Sequence, residues 1–300
     1  MTIIRVTCYH YLSRRIVQYG HDLLDGNRGS FCLGSNPIVG QIPMCSPRIV
    51  ESVPRTKHTR MKNYGFRYFF VWLLLFVVSL PCFAFSSQIE WTVEEKEFLQ
   101  THPVIRLGVD PGFAPFEYID DEGEYEGLAA DYLKLISEAT GLRFEPVLGL
   151  TWPQAYELAM AGDIDVLPAV GKTPEREQHF LLTRAYYHFK RVIVTRDTDS
   201  WITGMDDLEG RTVAVQRHSS QHSYLQAFPK INLSLYETVD SALAAVATGE
   251  ELAFLGNLAT TNYLIRSHGM TNLRFVAFEA ESQQSLHIAV RKDWPVLAGS

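Results

Sequence analysis

The stretch AVGKTPEREQHF, residues 169–180, sets a glycine, a threonine and a proline ahead of a short helical pattern and places Arg176 between Glu175 and Glu177. A guanidinium in that position has two uses. It is a solvated charge balanced by its neighbours, or a planar fork aimed at both oxygens of a carboxylate. Other groups able to do chemistry are sparser. His218 and His222 stand four apart across a helix start, a spacing that can bind a metal, but no cysteine lies beyond residue 82 and no third ligand is evident. No metal and no cofactor is therefore expected. Glu117, Asp120, Asp121, Glu122 and Glu124 crowd into EYIDDEGEYEG and read as a solvated turn rather than an acid–base pair. A His-Glu-x-x-His helix, a phosphate-cradling glycine loop and a nucleophile elbow are all missing. The pattern assigns no catalytic residue and points to binding rather than turnover.

The elements that must position these groups follow from periodicity and caps. WTVEEKEFLQTHP opens on a capping box, Thr92 with Glu95, and stops at His102-Pro103. VIRLGVD, RFEPVLG and DIDVLPAV read as strands. EGLAADYLKLISEATG is a helix with Leu128, Tyr132, Leu135, Ile136 and Ala139 on one face and Gly141 as its stop. TWPQAYELAMAG is another, capped by Thr151 with Gln154. The same grammar returns in RTVAVQ, SSQHSYLQAF, INLSLY, VDSALAAVATG, ELAFLGN and LATTNYLIRSHG. AMAGDIDVLPAVG (159–171) and AVATGEELAFLGN (245–257) match as helix end, glycine, acidic residue, buried strand and small-residue loop. Strands alternating with helices predict an α/β fold with parallel sheets, and doing so twice predicts two similar lobes. AYYHFKRVIVTRDTDSW and QQSLHIAVRKDWP are extended runs that cross between lobes and form a hinge. Ligands bind at the carboxyl ends of strands in open parallel sheets, so the facing lobes would share one ligand in their cleft.

Charge and cysteine placement bound the surroundings. The 300-residue chain carries a net charge of −7, yet residues 1–60 hold eight Lys/Arg against three Asp/Glu. The rest is strongly acidic, which argues against nucleic acid or an anionic membrane surface as partner. MKNYGFRYFFVWLLLFVVSLPCFAFSS carries a start methionine, a short basic region, an apolar run from Tyr68 to Leu80, and small residues, Cys82 and Ala84, at the −3 and −1 positions of a cleavage-like site. The run is shorter than the roughly 20 residues that span a bilayer. It is read as a secretory signal peptide over 61–84, with an uncleaved anchor as the alternative. Residues 1–60 show no period and many breakers, and are read as a leader without function. On this reading the exported chain retains no cysteine and works outside the cytoplasmic membrane, in the periplasm.

IRLGVDPGFAPFEYIDDEGEYEGLAADYLKLISEATG, AGDIDVLPAVGKTPEREQHFLLTRAYY, DDLEGRTVAVQRHSS and LHIAVRKDWP resemble, in order, the motifs of the family 3 extracellular solute-binding proteins over roughly residues 103–297. The capped lead segment (85–102) narrows the resemblance to the periplasmic Venus-flytrap modules of hybrid histidine kinases and diguanylate cyclases. The resemblance implies a two-lobed type II clamshell with two hinge crossings: lobe 1 over 103–192 plus 286–300, lobe 2 over 193–285. It implies that Thr173 and Arg176 form the Thr-x-x-Arg motif whose arginine grips a ligand carboxylate. By position, Phe113 and Phe116 would wall the ligand, Ala169 and Gly171 would offer backbone, and Gln216, Ser219 and Ser220 would occupy the anion-facing turn of lobe 2. That turn has His218 where the family has glycine. Asn257 stands where amino-acid binders carry the aspartate that pairs the ligand's ammonium, and an amide brings no charge to such a group.

The ligand implied is therefore a small anionic or zwitterionic molecule, an amino acid or an organic acid. The partner implied is a membrane-embedded signalling domain, with an ABC permease as the alternative. A periplasmic dehydratase is the remote third, since some proteins of this fold are enzymes. Family members continue from a strand like LHIAVRKDWP into further helices that complete lobe 1, so those helices are expected downstream.

Overall fold

The computed structural model describes residues 89–276 and 283–298. The expected leader and signal peptide lie outside these residues. Among them no helix is long and apolar enough to cross a membrane.

Helix α1 (Val93–Thr101) starts as its sequence demands: Thr92 Oγ1 accepts from Glu95 N, and Glu95 returns the bond to Thr92 N. Strand β1 (Val104–Leu107) follows. A small antiparallel sheet comes next, from β2 (Gly112–Phe113), β3 (Glu117–Ile119) and β4 (Tyr125–Glu126). Helix α2 (Leu128–Thr140) buries Ala129, Leu133 and Ile136, so its inner face is turned by about one residue from the predicted one. Of the predicted face only Ile136 is fully buried, and Tyr132 lies against Tyr186 with its ring tilted by 50°. Strand β5 (Arg143–Pro146), helix α3 (Trp152–Ala161) and strand β6 (Val166–Gly171) continue the alternation. Helix α4 (Pro174–His179) leads into β7 (Phe180–Leu182).

Strand β8 (Tyr187–Arg196) is the first crossing. Beyond it come β9 (Thr212–Gln216), α5 (Ser220–Leu225), β10 (Asn232–Tyr236), α6 (Val239–Thr248), β11 (Ala253–Asn257), α7 (Leu258–Ser267) and β12 (Leu273–Val276). The second crossing, β13 (Gln283–Arg291), returns to a short helix α8 (Pro295–Ala298). The internal repeat shows in the backbone. Gly162 and Gly249, the glycines that end α3 and α6, both take the left-handed conformation at φ 87°, where a side chain is disfavoured.

The large sheet runs β10-β9-β11-β8-β13-β6-β1-β5. Its two ends are parallel: β5, β1 and β6 on one side, β10, β9 and β11 on the other. The crossing strands join them antiparallel. Tyr187–Lys190 pair with β13, and Arg191–Thr195 pair with β11, so the hand-over falls between Lys190 and Arg191. Each end packs apolar clusters on both sheet faces: Ile105, Leu133 and Ile136 against Trp152, Leu167 and Phe180 at one, Val194, Leu243 and Phe254 against Ile193, Val213 and Leu255 at the other. Two doubly covered sheets joined by two crossing strands make the two-lobed clamshell.

Asp165 fastens the first lobe. It sits at 3% side-chain exposure and accepts from Arg106 N at 2.9 Å, Arg106 Nη2 at 2.8 Å and Arg291 Nη1 at 3.0 Å, tying the start of β6 to β1 and β13. An amide there cannot answer two cations. Asp165→Asn is expected to cost about 2 kcal/mol of stability, read as a lower urea midpoint at unchanged m-value. An unchanged midpoint would contradict this role.

Candidate functional site

The carboxyl ends of β1, β6, β9 and β11 converge on one cleft. Between the lobes lies a narrow pocket that opens to solvent. Seven of the residues expected from sequence line it: Phe113, Ala169, Gly171, Arg176, Gln216, Ser219 and Ser220. Asn257 lines a second, smaller cavity, which shares Phe113, Gln216, Ser219 and Gln221 with the first. Two expected residues sit elsewhere. Thr173 is the N-cap of α4 and accepts from Arg176 N at 3.2 Å, so it acts on the arginine rather than on the cavity. Phe116 is 2% exposed and fills the small core at the crossing with Phe189 and Leu286. The short sheet β2–β3 turns its ring inward.

Arg176 is the centre of the site. Its Pro174 and Thr173 start α4 immediately after β6, which places the side chain under the cleft at 3% exposure. Nη1 donates to Gly171 O at 2.6 Å and Nη2 to His218 O at 2.6 Å, so one guanidinium touches main chain of both lobes. Its carbon lies 5.5 Å from the Trp152 ring and 5.4 Å from the Tyr156 ring. Glu175 and Glu177, its neighbours in sequence, are exposed, and among the described residues no carboxylate lies within ion-pair distance of it. Burial lowers its pKa from the ordinary value. A guanidinium has five N–H donors, and these two bonds leave donors for an anion.

The lobes meet closely around this point. A Cβ built on Gly171 would lie 2.6 Å from Ser220 Oγ, so no larger residue fits between the facing chains. His218 takes φ 56°, a left-handed conformation that favours glycine. Its ring stacks on Tyr156 at 5.1 Å across the cleft. Gln216 Nε2 donates to Asp110 Oδ2 at 2.9 Å, a second bond between lobes.

Sequence reasoning missed Asp110, Trp152, Phe189, Gln221 and Leu286 in the first cavity. Asp110 ends the GVD strand run, and the rule about strand carboxyl ends points at it. Trp152 was hidden by its role as the opening residue of α3. The acidic cluster also needs correction. Asp120 does form a turn, accepting from Glu122 N and Glu124 N. Glu117, however, is fully buried, accepting from Asp110 N at 3.0 Å and Tyr125 Oη at 3.0 Å. Burial pushes Glu117 up to about 8 and Asp110 up to about 6. Among the described residues no three His, Cys, Asp or Glu converge into a metal-holding group.

With this geometry the comparisons with known proteins agree. Residues 105–257 match the model of the bacterial extracellular solute-binding proteins, family 3. The chain belongs to that family. It is 26% identical over 230 residues to the virulence sensor protein BvgS of Bordetella pertussis, covering 76% of this chain and 18% of that one. A probable amino-acid ABC transporter-binding protein of Haemophilus influenzae is 27% identical over 143 residues, covering 47% of this chain and 53% of that one. Among solved structures, the periplasmic VFT2 domain of Bordetella pertussis BvgS superposes with a TM-score of 0.60 at 25% identity, covering 68% of this chain and 87% of that one. The chain spans less than a fifth of the sensor's length. Family and fold define a periplasmic ligand-binding module rather than an enzyme.

The two raised carboxyls give the fold a pH dependence of known sign. A buried carboxyl with a raised pKa holds its proton more tightly folded than unfolded. The stability it contributes is full below the ordinary value of 4.5 and is lost as pH rises through about 8 for Glu117. Glu117→Gln removes that slope. The variant's melting temperature is expected to gain on the wild type as pH climbs from 5 to 8; a difference that is flat or shrinks over that range would contradict the assignment.

Proposed function

We propose that the module captures a small carboxylate-bearing ligand, an amino acid or an organic acid, between its lobes and serves as the sensor input of a transmembrane signalling protein. The carrying observation is Arg176: a guanidinium at 3% exposure that lines the cleft and has no carboxylate within ion-pair distance among the described residues. Buried charges are paired or expensive, and a ligand carboxylate is the partner that this cavity admits. Ser219 and Ser220 stand beside it at the start of α5, where hydroxyls can add bonds to the same anion. Phe113 and Trp152 wall the cavity.

The sensor role is supported by the likeness to BvgS and to a solved histidine kinase sensor domain, 29% identical with a TM-score of 0.59. The second reading, the binding subunit of an ABC importer, is favoured by the Haemophilus influenzae relative. In either reading the chain is exported by the signal peptide over 61–84, and in the first it is tethered to the membrane. Lobe 1 takes 103–192 and 286–300 and lobe 2 takes 193–285, a division that the pairing of β8 with β13 and β11 supports.

Removing one partner of a buried charge pair costs roughly 2–5 kcal/mol, about thirtyfold or more in affinity. Titration calorimetry of the wild type against a panel of amino acids and organic acids is expected to find a carboxylate ligand. Arg176→Ala is expected to abolish that binding, and Arg176→Lys, which keeps the charge but loses the fork, to weaken it about tenfold. Unchanged affinity in a folded Arg176→Ala variant would overturn the proposal.

A further inference from the structure

Asn257 ends β11 and caps α7. Its Oδ1 accepts from Ala259 N at 2.8 Å and from Thr260 N at 3.3 Å. Both partners are donors, so the oxygen is committed to the helix and the amide nitrogen must be the other atom. Nδ2 is buried without a hydrogen-bond partner, in a residue only 4% exposed that lines the second cavity. Thr260 lines the same cavity, and its Oγ1 is likewise buried without a partner. A buried polar atom without a partner is uncommon and costly, and one beside a cavity marks where a ligand atom completes it.

The polarity of that ligand atom is fixed. An aspartate in this place would cap the helix with one oxygen and present the second, a charged acceptor, to an ammonium. Asparagine caps with its oxygen and presents N–H donors. An ammonium carries only donors, so the two would face N–H to N–H. A carbonyl, hydroxyl or carboxylate oxygen would fit. Arg191 biases the end of the cleft the same way. It is the Cα partner of Asn257 across β8 and β11, it is 6% exposed, and it stacks on Tyr224 at 3.9 Å. Its Nε has no partner, and no carboxylate lies within ion-pair distance of it among the described residues. A buried cation next door disfavours a second cation. Among the described residues no acidic residue lines the second cavity; Asp110 lines the first, where its oxygens accept from Gln216 Nε2 and Gly112 N.

We propose that the Asn257 end of the cleft is a donor-lined subsite selecting carboxylates that carry an oxygen acceptor in place of an α-ammonium, namely 2-oxo and 2-hydroxy acids. This rests on the reading that Arg176 holds the ligand's carboxylate. Matched probes separate the two ideas: pyruvate against L-alanine, 2-oxoglutarate against L-glutamate, and phenylpyruvate against L-phenylalanine, titrated into the full chain by calorimetry. In the pair whose side chain fits, the oxo acid is expected to bind roughly tenfold or more tighter than the amino acid. Asn257→Asp keeps a capping oxygen and is expected to reverse that order. Asn257→Ser, another capping residue, is expected to erase the preference. Amino-acid binding that is tighter in the wild type and lost in Arg176→Ala would overturn the subsite while sparing the carboxylate reading. An unchanged order in folded Asn257→Asp would also overturn it. Absence of binding by every probe, or binding that persists in Arg176→Ala, would overturn both.

Discussion

A guanidinium buried at the seam of two lobes is the constraint around which the rest of this structure is arranged. Taking such a charge out of water costs several kcal/mol unless polar groups surround it. Arg176 finds carbonyl oxygens at Gly171 and His218 and the ring faces of Trp152 and Tyr156. Carbonyl dipoles and ring quadrupoles soften the cost without cancelling the charge. Each supporting feature follows from that requirement. Thr173 caps α4 so that the arginine points into the cleft. Gly171 lets the facing chain approach to contact distance. His218 turns left-handed so that its carbonyl faces the fork.

The same contacts make the site a device for closure. Gly171 belongs to the end of β6 and His218 follows the end of β9, so one side chain reads the separation of the lobes directly. Gln216 to Asp110 and Tyr156 to His218 do the same at nearby points. The crossing strands β8 and β13 carry the backbone between lobes, with pairing handed from one lobe to the other within a single peptide unit of β8. An anion that binds only when both sides of the cleft reach it favours the shut form by its differential affinity for the two states. That is a physical route from ligand binding to lobe closure.

Much of the fold was legible because local and global signals agree. Capping residues at Thr92 and Thr151, glycine stops at Gly141 and Gly162, and the repeated helix–glycine–strand pattern placed the elements to within a few residues. The rule that ligands sit at strand carboxyl ends located most of the cleft. What stayed hidden depends on tertiary detail. Glu117 looks like part of a hydrophilic turn, and nothing local reveals that Asp110 N and Tyr125 Oη receive it in the interior. The three-residue strand β3 is too short to announce itself by period. Phe116 and Phe113 carry the same side chain three residues apart, and only the direction of the β2–β3 turn decides which one faces the cavity. The face of α2 was misplaced because Leu128 packs on the small core of Phe116, Phe189 and Leu286, while Tyr132 lies against Tyr186.

The most direct test is a crystal structure of the module grown with a carboxylate that binds it in solution. A carboxylate oxygen is expected within about 3 Å of the Arg176 guanidinium, with the ligand between Phe113 and the start of α5. Ligand density elsewhere on the protein, with Arg176 bonded only to its two carbonyls inside a closed cleft, would contradict it.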